Sequence, residues 1–424
     1  MTPESDDALL AMMESMRRVG LPGSYGLVGK KVSALKSRGR FEILARLSEE
    51  RSIGFHSTSH SEHPTLAEAL APLDYATARH HFVEREREGV EIVKQWVKAP
   101  QYFTQPGGNW VPEALEALPA LGMDLFFADS FNSYVVDLME PYWYGDVMHL
   151  SFPVVNPRPF GLGLPHNLDE AIRLVDDHVR RWPDGMFMIM LHPTELVSTA
   201  FWDAVNYAQG STRHPLTPAP LRSADDQRRA LESFETYLEE LSRLPVEWWD
   251  VATLKERVMP REPVLVLRQE LEVQLRRHGW GPLTVTRGTL SAAEAVYALA
   301  KQEVTGAEAV TVHYVGPPDV YDDRAEEFDA MPSLEATQRF ARAVVDGVER
   351  TGRLPSEPVA GLTWRAGMAG LVQEPLPLRF LSFIKEPGAL HWDWPIFPKG
   401  FSPWRLWKDA RRLAWTLKPA RLTP

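Results

Sequence analysis

Residues 51–65 read RSIGFHSTSHSEHPT, and this segment decides how the rest of the chain is interpreted. Its apolar start, residues 52–55, predicts a short buried strand, and hydroxyl and imidazole side chains follow at once. His56 and His60 are four residues apart, so a helical turn after the strand would place both on one face. This spacing is typical of metal ligands, although such pairs also occur on solvated loops.

The position of the pair favours a metal site, because ligands in α/β proteins bind beyond the carboxyl ends of strands. Residues 56–60, HSTSH, follow Gly54 and precede His63 and Pro64. They resemble the His-Ser/Thr-x-x-His motif of polysaccharide deacetylases of the NodB-homology class, which are carbohydrate esterase 4-like. The resemblance implies a distorted (β/α) barrel and a divalent metal, most simply zinc, held by His56 and His60. It also implies removal of N-acetyl groups from an amino-sugar polymer.

Length and composition narrow the protein class. A chain of 424 residues predicts more than one domain. A formal net charge of −11 argues against a protein that binds nucleic acid over its whole surface. The sequence has no 18-residue apolar run and no signal-like opening, so we expect a soluble protein without a transmembrane segment, in a compartment that stays open. The absence of cysteine excludes disulfides, thiolate metal sites and a cysteine nucleophile.

The start of the chain departs from the resembled family. Residues 5–19 predict a helix whose first turn is acidic through Asp6 and Asp7. In the family, an earlier strand carries an aspartate pair that serves as base and metal ligand. Asp6 and Asp7 are candidates to replace that pair, but helix capping is the favoured interpretation. We expect the reading frame to continue upstream of Met1 with the missing strand; the alternative is that another segment fills its place.

Residues 102–110, YFTQPGGNW, match the family's third motif in their Pro-Gly-Gly and in the predicted helix that follows. The family has an arginine where this chain has Thr104, and neither that arginine nor the base aspartate is evident. The charged run 84–91 before this motif predicts a solvated helix face. The resemblance makes the following residues candidates for substrate binding: Pro106, Gly107, Gly108, Asn109 and Trp110.

Two later strand ends supply the catalytic candidates. Residues 123–128 predict a strand that ends in Asp129, which resembles an aspartate of many family members; a turn-initiating aspartate is the alternative. Residues 185–191 form an apolar run typical of a buried parallel strand, and His192 follows it. A Leu-His pair at this place supplies the catalytic acid in the family. The resemblance therefore assigns that role to His192, with a structural histidine as the alternative.

The sequence pattern changes near residue 260. We predict a deacetylase-like domain over 1–260, an accessory α+β domain over 261–385 and a tryptophan-rich basic tail over 386–424. The polar segment 199–223 in the first domain is typical of an active-site loop. The tail could associate with a membrane surface or an acidic polymer, but packing of its tryptophans on the body of the protein is favoured.

The resulting hypothesis is an α/β protein with a NodB-type barrel that lacks its first strand in this sequence, acting as a metal-dependent deacetylase on a carbohydrate or cell-wall polymer. Two alternatives stay open. An inactive deacetylase-like protein that binds glycan is favoured by the missing arginine and aspartates. A structural or assembly protein acting through the C-terminal domain is favoured if the region of His56 and His60 binds no metal.

Overall fold

The computed structural model describes residues 2–106, 110–128, 133–155, 168–319, 328, 330–356, 358–386 and 397–423. The strands are β1 (Ser24–Leu27), β2 (Ser52–Phe55), β3 (Tyr102–Thr104), β4 (Leu125–Phe127), β5 (Tyr142–Tyr144), β6 (Val147–Leu150), β7 (Val264–Leu267), β8 (Leu283–Val285), β9 (Gly288–Leu290), β10 (Ala309–Val312) and β11 (Lys418–Pro419).

The helices fill the intervals between these strands and cover the sheets. They are α1 (Pro3–Val19), α2 (Gly29–Ser37), α3 (Phe41–Glu49), α4 (Leu66–Leu70), α5 (Tyr75–Trp96), α6 (Ala114–Ala117), α7 (Leu168–Arg181), α8 (Pro193–Val197), α9 (Trp202–Asn206), α10 (Ala224–Ser242), α11 (Val251–Arg257), α12 (Arg268–His278), α13 (Ala292–Thr305), α14 (Leu334–Thr351), α15 (Trp364–Val372) and α16 (Trp404–Leu413). Among the residues described, none of these helices is long and apolar enough to cross a membrane.

The main sheet has seven strands in the order β1-β2-β3-β4-β6-β5-β11. The first five in that order are parallel, and β5 and β11 add antiparallel pairs at the far edge. The predicted α/β class is therefore confirmed. The described strands form an open sheet with β1 and β11 at its edges, so the expected closed barrel is not seen in this part of the chain.

The segment 185–191 differs from the buried strand that its apolar run predicts. It pairs with the chain after β6 through one parallel bridge, between Val154 and Met188. Met188 N donates to Pro153 O, and Val155 N donates to Met188 O, both at 3.0 Å. Its side chains are partly exposed, and this bridge is its one β-pairing among the described residues. The segment nevertheless brings His192 to the same side of the sheet as the β2 end.

Helix α1 begins one turn earlier than predicted. Thr2 is its N-cap and forms a capping box with Ser5. Asp6 is fully buried and forms ion pairs with Lys31 and Arg38, in and just after α2. The first turn is acidic, as predicted, but Asp6 fixes α1 against α2 instead of capping the helix.

The core joins the predicted domains. One contiguous cluster of buried apolar residues contains Phe103 from the first region and Trp280, Trp364 and Trp415 from the later ones. The Arg261 guanidinium lies 4.5 Å from the Trp143 ring and 4.4 Å from the Tyr314 ring. The domain boundary near residue 260 stays a prediction, which limited proteolysis can test.

The tail helix α16 packs on the body of the protein. Trp407 and Trp415 are buried, whereas Trp404 is 49% exposed. Arg405 donates to the carbonyl of Leu70 at 2.8 Å and pairs with Glu113 at 2.5 Å, so part of the basic charge of the helix is used inside the protein.

Candidate active site

The histidine motif forms a sharp turn at the carboxyl end of β2. His56 N donates to Leu27 O at the end of β1, over 2.8 Å. Ser57 and His60 then adopt positive φ angles of 64° and 57°, which are uncommon for residues other than glycine. The segment therefore does not form the helical turn that the four-residue spacing predicted. It still brings the two imidazole rings together, with centroids 5.0 Å apart and planes at 62°.

Helix α5 packs against this turn and forms hydrogen bonds to it. The carboxylate of Glu86, fully buried, accepts hydrogen bonds from Thr58 N at 2.7 Å and Thr58 Oγ1 at 3.2 Å. Burial raises the pKa of Glu86, and these bonds offset only part of the rise. At Gly89 a Cβ atom would lie 2.4 Å from Thr58 Oγ1 and 2.8 Å from the Phe55 ring, so only glycine lets the helix approach so closely. The run 84–91 is thus only partly the solvated face predicted.

His56 is held in one tautomer by the neighbouring strand. Its Nδ1 lies 2.8 Å from the carbonyl oxygen of Thr104 at the end of β3. A carbonyl can only accept, so Nδ1 carries the proton and Nε2 carries the lone pair. Burial, followed by the neighbouring His60, lowers the pKa of His56 to about 3. His56 is therefore a neutral imidazole at physiological pH.

His60 is oriented by a carboxylate that lies far away in the sequence. Ser61 Oγ donates its hydrogen to Asp203 Oδ2 at 2.7 Å. The serine oxygen can therefore only accept from His60 Nδ1, which lies 2.8 Å away. Asp203 Oδ1 lies 3.2 Å from the same Nδ1, within ion-pair distance but without the angle of a hydrogen bond. His60 therefore also has Nε2 as its free nitrogen.

Asp203 remains ionised in this position. The residue is buried, at the second position of α9. Burial raises its pKa, but the interaction with His60 and the hydrogen bond from Ser61 outweigh that effect, so the net pKa is lowered. A buried anion next to two donors fixes both the turn and the imidazole.

His192 lies in the same site. Its Nδ1 is 2.9 Å from Glu195 Oε1 in α8, and its ring packs edge-on against Phe201 at 5.2 Å. Its charge acts on both His56 and Asp203, which places it close to the histidine turn. The side chain is one-third exposed, at 33%, so solvent or a ligand can reach it.

The His56–His60 pair fits a shared metal ion in two respects. Two imidazoles on one tetrahedral zinc, with Zn–N distances of about 2.1 Å, hold their ring centroids about 5 Å apart. Each Nδ1 is engaged by a protein acceptor, as is usual for histidines that bind metal through Nε2. Within the described ranges, no group of three or more His, Asp or Glu side chains is arranged to hold a metal ion. The pair therefore fits as two ligands of a site.

The structure describes two of the remaining candidates from the sequence, and both are buried. Pro106 is buried, and Trp110 is fully buried against Phe126 and Tyr134, with ring centroids 6.3 and 5.2 Å away. A ring buried in this way contributes to the core and offers no open face to a sugar. The other candidates lie outside the described residues: Gly107, Gly108, Asn109 and Asp129.

Sequence reasoning missed Asp203. The segment 199–223 was expected to be an active-site loop, but no residue in it was singled out. One signal was present, because Asp203 is the only acidic residue between Thr199 and Ser223. A single carboxylate in a long polar segment that is expected to be an active-site loop is a candidate partner for the histidines of that site.

Comparisons with known proteins add little. No protein-family model matches the chain, and no curated protein matches it. A crystal structure named "putative polysaccharide deacetylase" from Mycobacterium smegmatis is similar at 16% identity, over 66% of this chain and 80% of that chain, with a TM-score of 0.38. A likeness at this level does not establish a family or an activity.

Proposed function

We propose that the chain is a metal-dependent hydrolase that removes N-acetyl groups from an amino-sugar polymer or a related amide. The observation that carries this proposal is the common arrangement of His56, His60 and His192. In each ring Nδ1 contacts a protein acceptor, namely a backbone carbonyl, a serine–aspartate pair or a glutamate. His56 and His60 therefore keep the Nε2 lone pair for a ligand.

His56 and His60 are the proposed metal ligands, through Nε2. When bound, a divalent metal, most simply zinc, lowers the pKa of a water molecule and polarises a carbonyl group. Thr104 and Asp203 hold the two rings in the required tautomer. Losing a partner of this kind typically weakens metal binding about 10- to 100-fold.

His192 is the proposed general acid. Hydrolysis adds water to the acetyl carbon and breaks its bond to nitrogen, giving acetate and a free amine, and the departing nitrogen must gain a proton. Glu195, whose carboxylate lies 2.9 Å from Nδ1, stabilises the protonated imidazole of His192, which can then deliver that proton. Asp129 is proposed from the sequence as the acceptor of the water's proton. Asp203 is not proposed for that step, because both its oxygens already contact Ser61 or His60.

A glycan-binding protein without activity is the second candidate. It is favoured by one specific feature, Thr104, which stands where the resembled family has the arginine that orients its base. In this chain the Thr104 carbonyl holds His56 instead. Binding of an N-acetylated oligosaccharide without acetate release would favour this candidate.

Acetate release separates the two candidates. The full chain, loaded with zinc, is incubated with N-acetylglucosamine oligomers, and acetate is measured enzymatically. We expect turnover, and His192→Gln should lower kcat by about 10²- to 10⁴-fold while leaving the zinc content unchanged. His81→Gln, at an exposed position of α5, is the matched control and should behave as the wild type. Absence of both acetate release and oligomer binding would contradict both candidates.

A further inference from the structure

His63 bridges the histidine turn and the 199–223 segment. Its Nδ1 lies 2.6 Å from Glu68 Oε2 in α4, and its Nε2 lies 2.9 Å from the backbone oxygen of Tyr207, which follows α9. Its backbone N donates to Thr212 Oγ1 at 2.9 Å. The ring is nearly buried, with 6% of the side chain exposed.

Both ring nitrogens of His63 face acceptors, and this decides its protonation. A backbone oxygen can only accept, and an ionised carboxylate can only accept. Both bonds can form at once only if both nitrogens carry hydrogen, so the geometry requires an imidazolium. Partial burial lowers the pKa of His63, but the bonds to Glu68 and the Tyr207 oxygen outweigh it, and the net pKa is raised.

The segment that His63 holds is braced internally. Thr199 N donates to Pro220 O at 2.8 Å, which brings its ends together. The side chain of Asn206 accepts from Thr217 N at 2.7 Å and donates to Thr217 O at 2.9 Å. A segment closed in this way moves as a unit, and Asp203 moves with it.

We propose that His63 is a positioning residue whose imidazolium fastens the 199–223 segment over the histidine turn, keeping Asp203 against His60, and that rising pH releases the segment. Where it concerns catalysis, this proposal rests on the proposed function and adds its regulation. The fastened state depends on charge on His63, which the neutral ring cannot replace, because it has only one N–H.

The charges that face His63 favour the fastened state at low pH. Glu68 from α4 and Asp203 from α9 are both anionic and both raise its pKa. Bonding to His63 is also among the causes that lower the pKa of Glu68, where burial acts in the opposite direction. The pKa of His63 is raised in the folded state. The stabilisation that its imidazolium gives to the fastened state is therefore present at low pH and is lost as pH rises through that pKa.

Hydrogen exchange read by mass spectrometry tests this proposal on the metal-free full chain. Exchange is followed at about pH 6 and about pH 9, on either side of the ordinary histidine range, and corrected for the intrinsic effect of pH. We expect amides in 202–212 to exchange about tenfold faster, or more, at the higher pH, because a hydrogen bond to a charged group is lost. Amides of α10 should not change in this way.

Two variants and one control sharpen the test. His63→Gln should exchange fast in 202–212 at both pH values. Glu68→Gln should move the transition to lower pH while keeping the α4 capping box, in which glutamine is also favoured. His81→Gln should follow the wild type. Equal protection at both pH values in the wild type, or wild-type protection in His63→Gln, would overturn the proposal. The readout needs neither metal nor turnover, so it is independent of the outcome of the acetate assay.

Discussion

Asp203 Oδ1 lies 3.2 Å from His60 Nδ1, and its other oxygen accepts from Ser61, the neighbour of that histidine. The 199–223 segment thus supplies a carboxylate that orients His60 in the turn after β2. Because Asp203 is buried and ionised, its charge acts on His60 with little screening by water.

Asp203→Asn should weaken zinc binding. The substitution keeps the size of the side chain but removes the charge that holds the His60 tautomer. We expect the affinity for zinc to fall about 10- to 100-fold, measured by competition with a chromophoric chelator. Asp225→Asn, at an exposed position in the first turn of α10, is the matched control. Equal affinities in the two variants would remove Asp203 from the site.

Acid should destabilise the protein through its buried histidines. Burial lowers the pKa of His149 to about 3, and the pKa of His56 is also about 3. The unfolded chain therefore binds more protons than the folded one below the ordinary histidine pKa of about 6.5. The stabilisation is complete above about pH 6.5 and is lost as pH falls from there toward 3.

His149→Phe isolates one part of this effect. The His149 ring stacks on Phe126 at 5.2 Å, and neither ring nitrogen has a hydrogen-bond partner in the described structure. Phenylalanine cannot be protonated, so the variant should not lose stability in acid through this position. The effect of the substitution on the free energy of unfolding should be about 2 kcal/mol more favourable at pH 5 than at neutral pH. Urea titrations at the two pH values measure this difference. The same pH dependence in variant and wild type would show that His149 does not titrate as described.

Gly89→Ala should disturb the histidine turn from the helix beneath it. The added Cβ would meet Thr58 Oγ1 at 2.4 Å and the Phe55 ring at 2.8 Å. We expect a loss of about 1–3 kcal/mol in the free energy of unfolding, by overpacking, together with weaker zinc binding. Glu88→Ala, at the exposed neighbouring position, should leave both properties unchanged. A fully stable Gly89→Ala protein would mean that the contact is looser than described.

Limited proteolysis tests the predicted domain boundary. We expect the first cuts near residues 259–261 or in the proline-rich segment 355–377. Since Arg261 stacks on rings from both regions and Trp415 lies in the shared core, the fragments should co-elute in gel filtration until denaturant is added. A chain that resists cutting at both places would contradict the boundary.

The sequence predicted those parts of the site that depend on local pattern. The apolar run that ends in polar residues located the end of β2, and the spacing of His56 and His60 predicted that their rings meet. The turn itself, with positive φ at Ser57 and His60, was not predictable, because Thr58 within it contacts the buried Glu86 and Gly89 of a helix distant in sequence. Glu86 lies within a charged run that indicates a solvated helix.

Long-range relationships set the limit of prediction. Asp203 lies in a segment without periodicity, so nothing local connected it to His60. The apolar run 185–191 predicted a strand, but composition does not determine how far a strand pairs, and among the described residues the pairing is one bridge long.

Metal content tests the central claim most directly. The full chain is equilibrated with zinc and desalted, and its zinc content is measured by elemental mass spectrometry. The variant His56→Ala/His60→Ala is measured in parallel, and His80→Ala/His81→Ala, which changes an exposed pair on α5, is the control. We predict near-stoichiometric zinc in the wild type and the control, and loss of zinc from the His56/His60 variant. Equal zinc in all three proteins, or none in the wild type, would contradict the proposed site.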